Sequence, residues 1–243
     1  MTGTVLLAAR DSSDIDRLHD GLEELDMVVA PASTGAEALE RAEQLKPDLV
    51  VLVLDLPDIH GLDVCRRLRR SSDVPLIVMA EGASDLDRVL ALELGADDVI
   101  PSPCDRSELC ERIRAALRRA VNREAEPTAG RDLLEFGDLV IDRRTHTLTT
   151  AGGRAQLTPM EMDLLWALAN RPGEVLRSAT LLREVWGYPE GVRTRTLDVH
   201  IGRVRRKLGE DGQDPRYIVT VRGVGYRFEP WPDGQAAHEP RGA

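Results

Sequence analysis

Residues 195–208 read RTLDVHIGRVRRKL and residues 217–228 read YIVTVRGVGYRF. In the first stretch Leu197, Ile201, Val204 and Leu208 fall at offsets 0, 4, 7 and 11, which places them on one face of a helix. That face is core, so Arg195, His200, Arg203, Arg206 and Lys207 lie on the flanks or the opposite face. There, guanidinium forks could reach guanine edges and phosphates of a duplex. The second stretch reads as two strands around Arg222-Gly223-Val224-Gly225, a glycine-flanked hairpin with a cation at its tip, a shape suited to a minor groove.

Moving towards the N-terminus, SATLLREVWG is a second helix stopped by Gly187, and Thr158-Pro159-Met160-Glu161 opens another, MEMDLLWALANR, with the spacing of a capping box. Short strand-like runs precede it: LEFGDLVID, THTLTTAG and RAQL. Two bundle-type helices, a cationic third helix and a hairpin together predict a winged helix-turn-helix. Residues 122–132 are polar, contain Pro127 and Gly130 and have no helical or strand period, so they read as a linker. The residues after Pro230 read as a disordered tail, leaving a DNA-binding domain over 133–229.

The first 121 residues alternate apolar strands with helical stretches: TVLLAA, SDIDRLHDGLEEL, MVVAPA, GAEALERAEQL, DLVVLVL, GLDVCRRLRR, PLIVMA, SDLDRVLALELG, DDVI and RSELCERIRAALRRA. This (βα)5 order implies right-handed crossovers and a parallel sheet covered on both faces, an α/β, flavodoxin-like doubly wound domain. Ligands of such sheets bind at the carboxyl ends of the strands, which makes the ends of TVLLAA, DLVVLVL, PLIVMA and DDVI the informative positions.

The net charge of −10 looks wrong for a nucleic-acid binder until it is divided. Residues 1–121 hold 14 Lys and Arg against 24 Asp and Glu, whereas residues 122–243 hold 18 of each. Within the second half, residues 193–207 carry six cations and one anion, Asp198, so the basic footprint is local. Cys65, Cys104 and Cys110 have neither metal-type spacing nor an even number, which points to a reducing compartment, the cytoplasm. No stretch approaches the roughly 18 apolar residues of a spanning helix. No glycine-rich phosphate loop, metal cluster or nucleophile–base pair stands at a strand end, so neither an enzyme nor a cofactor is expected.

The C-terminal residues resemble the effector domains of OmpR/PhoB-type response regulators, whose pattern RTVDVHIxRLRRKL…YIxTVRGxGYRF is matched by RTLDVHIGRVRRKL and YIVTVRGVGYRF. The resemblance spans nearly the whole chain. It implies contacts to double-stranded DNA from Arg195, Val199, His200, Arg203 and Arg205 on the third helix, and from Thr220 and Arg222 on the wing. Gly202 stands where the family often has a cation, which implies a weaker contact there. With about five phosphates neutralised per half-site, the log–log salt slope would be about −4 to −5.

Receivers of this family transfer a phosphoryl group to an aspartate ending the third strand, in a pattern resembling PDLVLLDxxLPxxDG. Residues 47–61 read PDLVVLVLDLPDIHG, of equal length, and the acceptor position falls on Val53, which has no nucleophile. The acidic pair that would hold magnesium falls on Ala9 and Arg10. The family's lysine falls on Ser102, its hydroxyl on Ala80 and its aromatic switch on Val99. Asp55 is a rival acceptor, but needs a two-residue slip that the matching loop length does not support. Arg10 near Asp11 or Asp55 could instead supply the fixed positive charge that metal and phosphate normally arrange. Val53, Ala80, Ala9 and Cys104 make the pocket more apolar, which suits a small organic effector.

The family's pairing surface, by contrast, is matched at every position. Arg88 with Glu108, Asp98 with Arg112 and Asp97 with Arg119 carry over as intermolecular ion pairs between the fourth and fifth predicted helices, implying a receiver homodimer. The expected protein is a phosphorylation-independent DNA-binding regulator, dimeric on half-sites about one turn apart and set by abundance, a partner or a ligand. The alternatives are a kinase-driven regulator using Asp55 and a regulator that mainly captures other proteins.

Overall fold

The structure, a computed structural model, describes residues 3–10, 27–102, 106–121, 132–192, 194–210 and 215–230. The predicted helix over 13–25, Asp11, Cys104, most of the linker and the tail after Pro230 lie outside these residues. Two compact units emerge: residues 1–125 with 186–189 and 193–199, and residues 126–185 with 190–192 and 200–243.

In the first unit, strands β1 (Thr4–Ala8), β2 (Val28–Ala32), β3 (Leu49–Val53), β4 (Leu76–Glu81) and β5 (Asp98–Ser102) form one parallel sheet in the order β2-β1-β3-β4-β5. Helices α1 (Gly35–Leu45), α2 (Gly61–Ser71), α3 (Asp85–Glu93) and α4 (Arg106–Val121) connect or follow the strands. Strand side chains alternate between faces. Accordingly Leu6, Ala8, Val50 and Leu52 pack in one apolar cluster with Val64, Leu68 and Leu92, while Val5, Leu7, Leu49 and Val51 pack in another with Leu109 and Ile113. Both faces of the sheet are therefore covered, and β3, the run LVVLV, is buried throughout. Parallel pairing, with Ala8 beside Leu52 and Val53 beside Met79, brings the carboxyl ends of the strands to one edge.

Helix entries in this unit are capped by side chains that replace the missing backbone partners of a first turn. The Glu37 N–H donates to Thr34 Oγ1 at α1, and Ser84 and Asp87 form a capping box at α3.

The second unit begins with strands β6 (Leu133–Phe136), β7 (Leu139–Asp142), β8 (Thr147–Thr150) and β9 (Gly153–Gln156), an antiparallel sheet in sequence order. Helix α5 (Pro159–Ala169) opens on the expected capping box, Glu161 N–H to Thr158 Oγ1 at 3.3 Å and Thr158 N–H to Glu161 Oε2 at 2.8 Å. The predicted helix SATLLREVWG is instead a short α6 (Ser178–Leu181) running into a π turn over Leu182–Trp186. Leu181, Leu182, Val185 and Trp186 are all buried, and the wider turn narrows the arc over which these four point. Helix α7 (Thr196–Leu208) precedes β11 (Ile218–Val221) and β12 (Gly225–Phe228). A third strand, β10 (Val175–Arg177), pairs antiparallel with β12; three residues are too few to display a strand period.

Candidate DNA interface and the receiver strand ends

At the carboxyl end of the sheet, Val53 closes the central strand β3 with 7% of its surface exposed, and Ala9, Ala80 and Val99 are buried. Arg10 follows β1 and donates from Nη1 to Asp55 Oδ2 at 2.6 Å, with the two side chains 51% and 76% exposed. The loop carrying Asp55 is tied down again three residues on. The Asp58 carboxylate accepts the Gly35 N–H at 2.6 Å and the Ala36 N–H at 2.9 Å, at the start of α1. The Ala36 N–H holds the Asp58 carboxyl below its ordinary value against the opposing effect of burial, and the Gly35 N–H adds to the lowering.

The magnesium of family receivers does not fit these residues. Ala9 and Val53 offer no oxygen ligand, Arg10 adds a cation, and no metal-type cluster occurs among the described residues. Asp11 lies outside the described residues, as does the Ser102 side chain.

Five of the six residues carried over as a pairing surface, Arg88, Asp97, Asp98, Glu108 and Arg112, have partners inside the first unit. Asp97 Oδ2 accepts from Arg69 Nη2 at 2.7 Å and from the Leu76 N–H at 2.8 Å. Arg112 donates to Asp98 at 3.1 Å and to Glu108 at 2.5 Å. In the same unit, the Tyr188 hydroxyl donates to Asp98 Oδ1 at 2.5 Å, Arg112 lies over the Tyr188 ring at 3.4 Å, and Trp186 Nε1 donates to the Asp97 carbonyl at 2.9 Å. Burial opposes the charge on Arg112, but Asp98 and Glu108 outweigh it and raise its pKa. Arg88 stands 3.7 Å from Asp85, and the Arg119 side chain is outside the described residues. Arg69 and Tyr188 were not singled out in the sequence, because partners so distant along the chain leave no local pattern.

On α7, Leu197, Ile201, Val204 and Leu208 are buried, as their spacing requires. The cations divide into two groups. Arg203 Nη2 stands 2.9 Å from Oε1 of Glu161, and Lys207 Nζ stands 2.5 Å from its Oε2; Glu161 is wholly buried. Arg205 donates from Nε to the Ile218 carbonyl at 3.0 Å and from Nη2 to Thr220 Oγ1 at 2.8 Å, tying the helix to β11. Glu210 completes that tie by accepting the Tyr217 N–H, with the Ile218 N–H at 3.4 Å. Val199 and His200 are buried, whereas Arg195, Arg206, Thr220 and Arg222 are exposed. Arg195 stands 3.8 Å from Asp198.

A parallel (βα) sheet with buried apolar residues at its strand ends, followed by a three-helix unit with a hairpin wing, defines a receiver joined to a winged-helix effector. Residues 5–114 match the response regulator receiver domain, and residues 152–228 match the family described as transcriptional regulatory protein, C terminal. The chain belongs to the OmpR/PhoB-type DNA-binding response regulators. The DNA-binding response regulator MtrA of Mycolicibacterium smegmatis is 40% identical over 230 residues, 95% of this chain and 98% of MtrA. The transcriptional regulatory protein AfsQ1 of Streptomyces coelicolor is 43% identical over 202 residues, 83% of this chain and 87% of AfsQ1. Among solved structures, a RitR mutant matches with a TM-score of 0.71 at 28% identity, over 93% of this chain and 99% of that one.

Proposed function

We propose that this chain is a cytoplasmic transcription regulator that binds double-stranded DNA without aspartyl phosphorylation of its receiver. The observation that carries the reading is Val53 at the end of β3, beside an Arg10–Asp55 pair where acceptor and metal chemistry would lie. Asp55 faces a cation of the chain itself and has no acidic pair on β1 to share a metal with. The domains are a pseudo-receiver over 1–121 and an effector over 133–229. Arg195, Val199, His200, Arg203, Arg205, Thr220 and Arg222 are the residues of the matched motif at this interface, of which Arg195, Thr220 and Arg222 are exposed for direct contact.

The regulator acts as a homodimer on repeated half-sites through Arg88, Asp97, Asp98, Glu108, Arg112 and Arg119, trading pairs within one chain for pairs between two. Its activity is set by abundance or by a small-molecule or protein effector rather than by a kinase. The test is footprinting on duplexes recovered by genome-wide binding, with and without prior incubation with a small phosphodonor. Equal protection in both arms and an unshifted band on a phosphate-affinity gel are expected. Phosphodonor-dependent protection would overturn the reading.

A further inference from the structure

Gly202 is the seventh of the thirteen residues of α7, where glycine is the least favourable choice after proline. Two internal reasons for a glycine are absent. Gly202 is not among the glycines with positive φ, and a Cβ built there meets no heavy atom within 4 Å. Gly225 is the contrasting case, since its Cβ would run into the Leu176 carbonyl oxygen. Nothing inside the described protein therefore requires Gly202 to lack a side chain.

The helical period supplies an external reason. Arg195, Asp198, Gly202 and Arg206 recur every three or four residues, on the side of α7 opposite Leu197, Ile201, Val204 and Leu208. Gly202 is central in that face and leaves a gap between Asp198 and Arg206, both exposed. The Arg206 Nε lies 3.4 Å from the Gly202 carbonyl, folded back along the gap.

We infer that Gly202 is a specificity-determining notch: it lets the α7 backbone approach a base edge in the major groove closely, with Asp198 and Arg206 as the acceptor and donor on either side. The inference rests on the proposed DNA-binding function and opposes the simpler view that glycine there is a lost cation. A lost cation would be restored by arginine, whereas a notch would be blocked by it.

The test uses the full chain, a duplex selected from a random-sequence pool by the wild-type protein, and an unselected duplex of equal length. Gly202→Ala should raise the melting temperature by about 2–4 °C yet weaken binding to the selected duplex about tenfold, with the unselected duplex changed less than about twofold. Gly202→Arg should likewise bind the selected duplex more weakly. Wild-type or tighter binding by either variant would overturn the notch while leaving the DNA-binding function intact. Failure of the wild-type chain to recover any duplex would overturn both.

Discussion

Arg10 and Asp55 meet at 2.6 Å and so join the segment that follows β1 to the loop after β3. Both side chains are largely exposed, so the pair contributes about 0–1 kcal/mol and its consequence is chemical rather than energetic. Incubation with acetyl phosphate and magnesium should leave the intact mass unchanged. The single substitution Val53→Asp should not restore phosphorylation, because Ala9 and Arg10 still supply no metal ligand. A phosphorylated wild-type chain whose modification vanishes in Asp55→Asn would reinstate Asp55 as an acceptor.

Glu161 joins helix α5 to α7 with a buried carboxylate facing Arg203 and Lys207. Burial pushes its carboxyl up, but Arg203 and Lys207 outweigh burial and hold it below the ordinary value of 4.5. A lowered carboxylate stabilises the fold above its unfolded pKa, and that contribution is lost as pH falls through the folded value. Glu161→Ala should destabilise the chain by about 3 kcal/mol at neutral pH, since it leaves two cations facing an empty site. In urea titrations the gap between wild type and Glu161→Gln should narrow as the pH drops below 4.5; a pH-independent gap would assign the loss to packing alone.

Much of this was legible in the sequence because it is local. The run Leu49–Val53 announces a strand buried on both faces, and Leu197, Ile201, Val204 and Leu208 announce a helix face. What was not legible is the partner of each cation. Lys207 meets a carboxylate 46 positions away; the helical period puts it on a flank and Arg206 opposite the core, but it names no partner for either. Strand β10 is likewise not legible locally: at three residues it is defined by β12, not by its own pattern.

Glu210 should behave oppositely to Glu161. Burial raises its carboxyl pKa, and the Tyr217 and Ile218 N–H groups and Arg205 offset only part of that. A raised carboxyl contributes stability that is present below its unfolded pKa and lost as pH rises through the folded value. Glu210→Gln should therefore gain on wild type as the pH climbs from about 4 towards neutrality, in thermal melts at matched ionic strength. Parallel curves for the two proteins would show that the carboxyl is not desolvated in solution.

The division of cations on α7 sets the salt dependence of DNA binding. Five phosphate contacts per half-site would require Arg203 and Arg205 to reach the duplex, yet Arg203 faces Glu161 and Arg205 holds the Ile218 carbonyl. If those partners are kept on binding, Arg195, Arg206 and Arg222 are the exposed cations of helix and wing, and the slope of log affinity against log salt should be about −3. Arg222→Ala should then reduce the slope by about one, while Arg203→Ala should lower the melting temperature and leave the slope unchanged. A wild-type slope near −5 that falls in Arg203→Ala would mean that Arg203 exchanges Glu161 for phosphate on binding, and that the buried pair belongs to the unbound form alone.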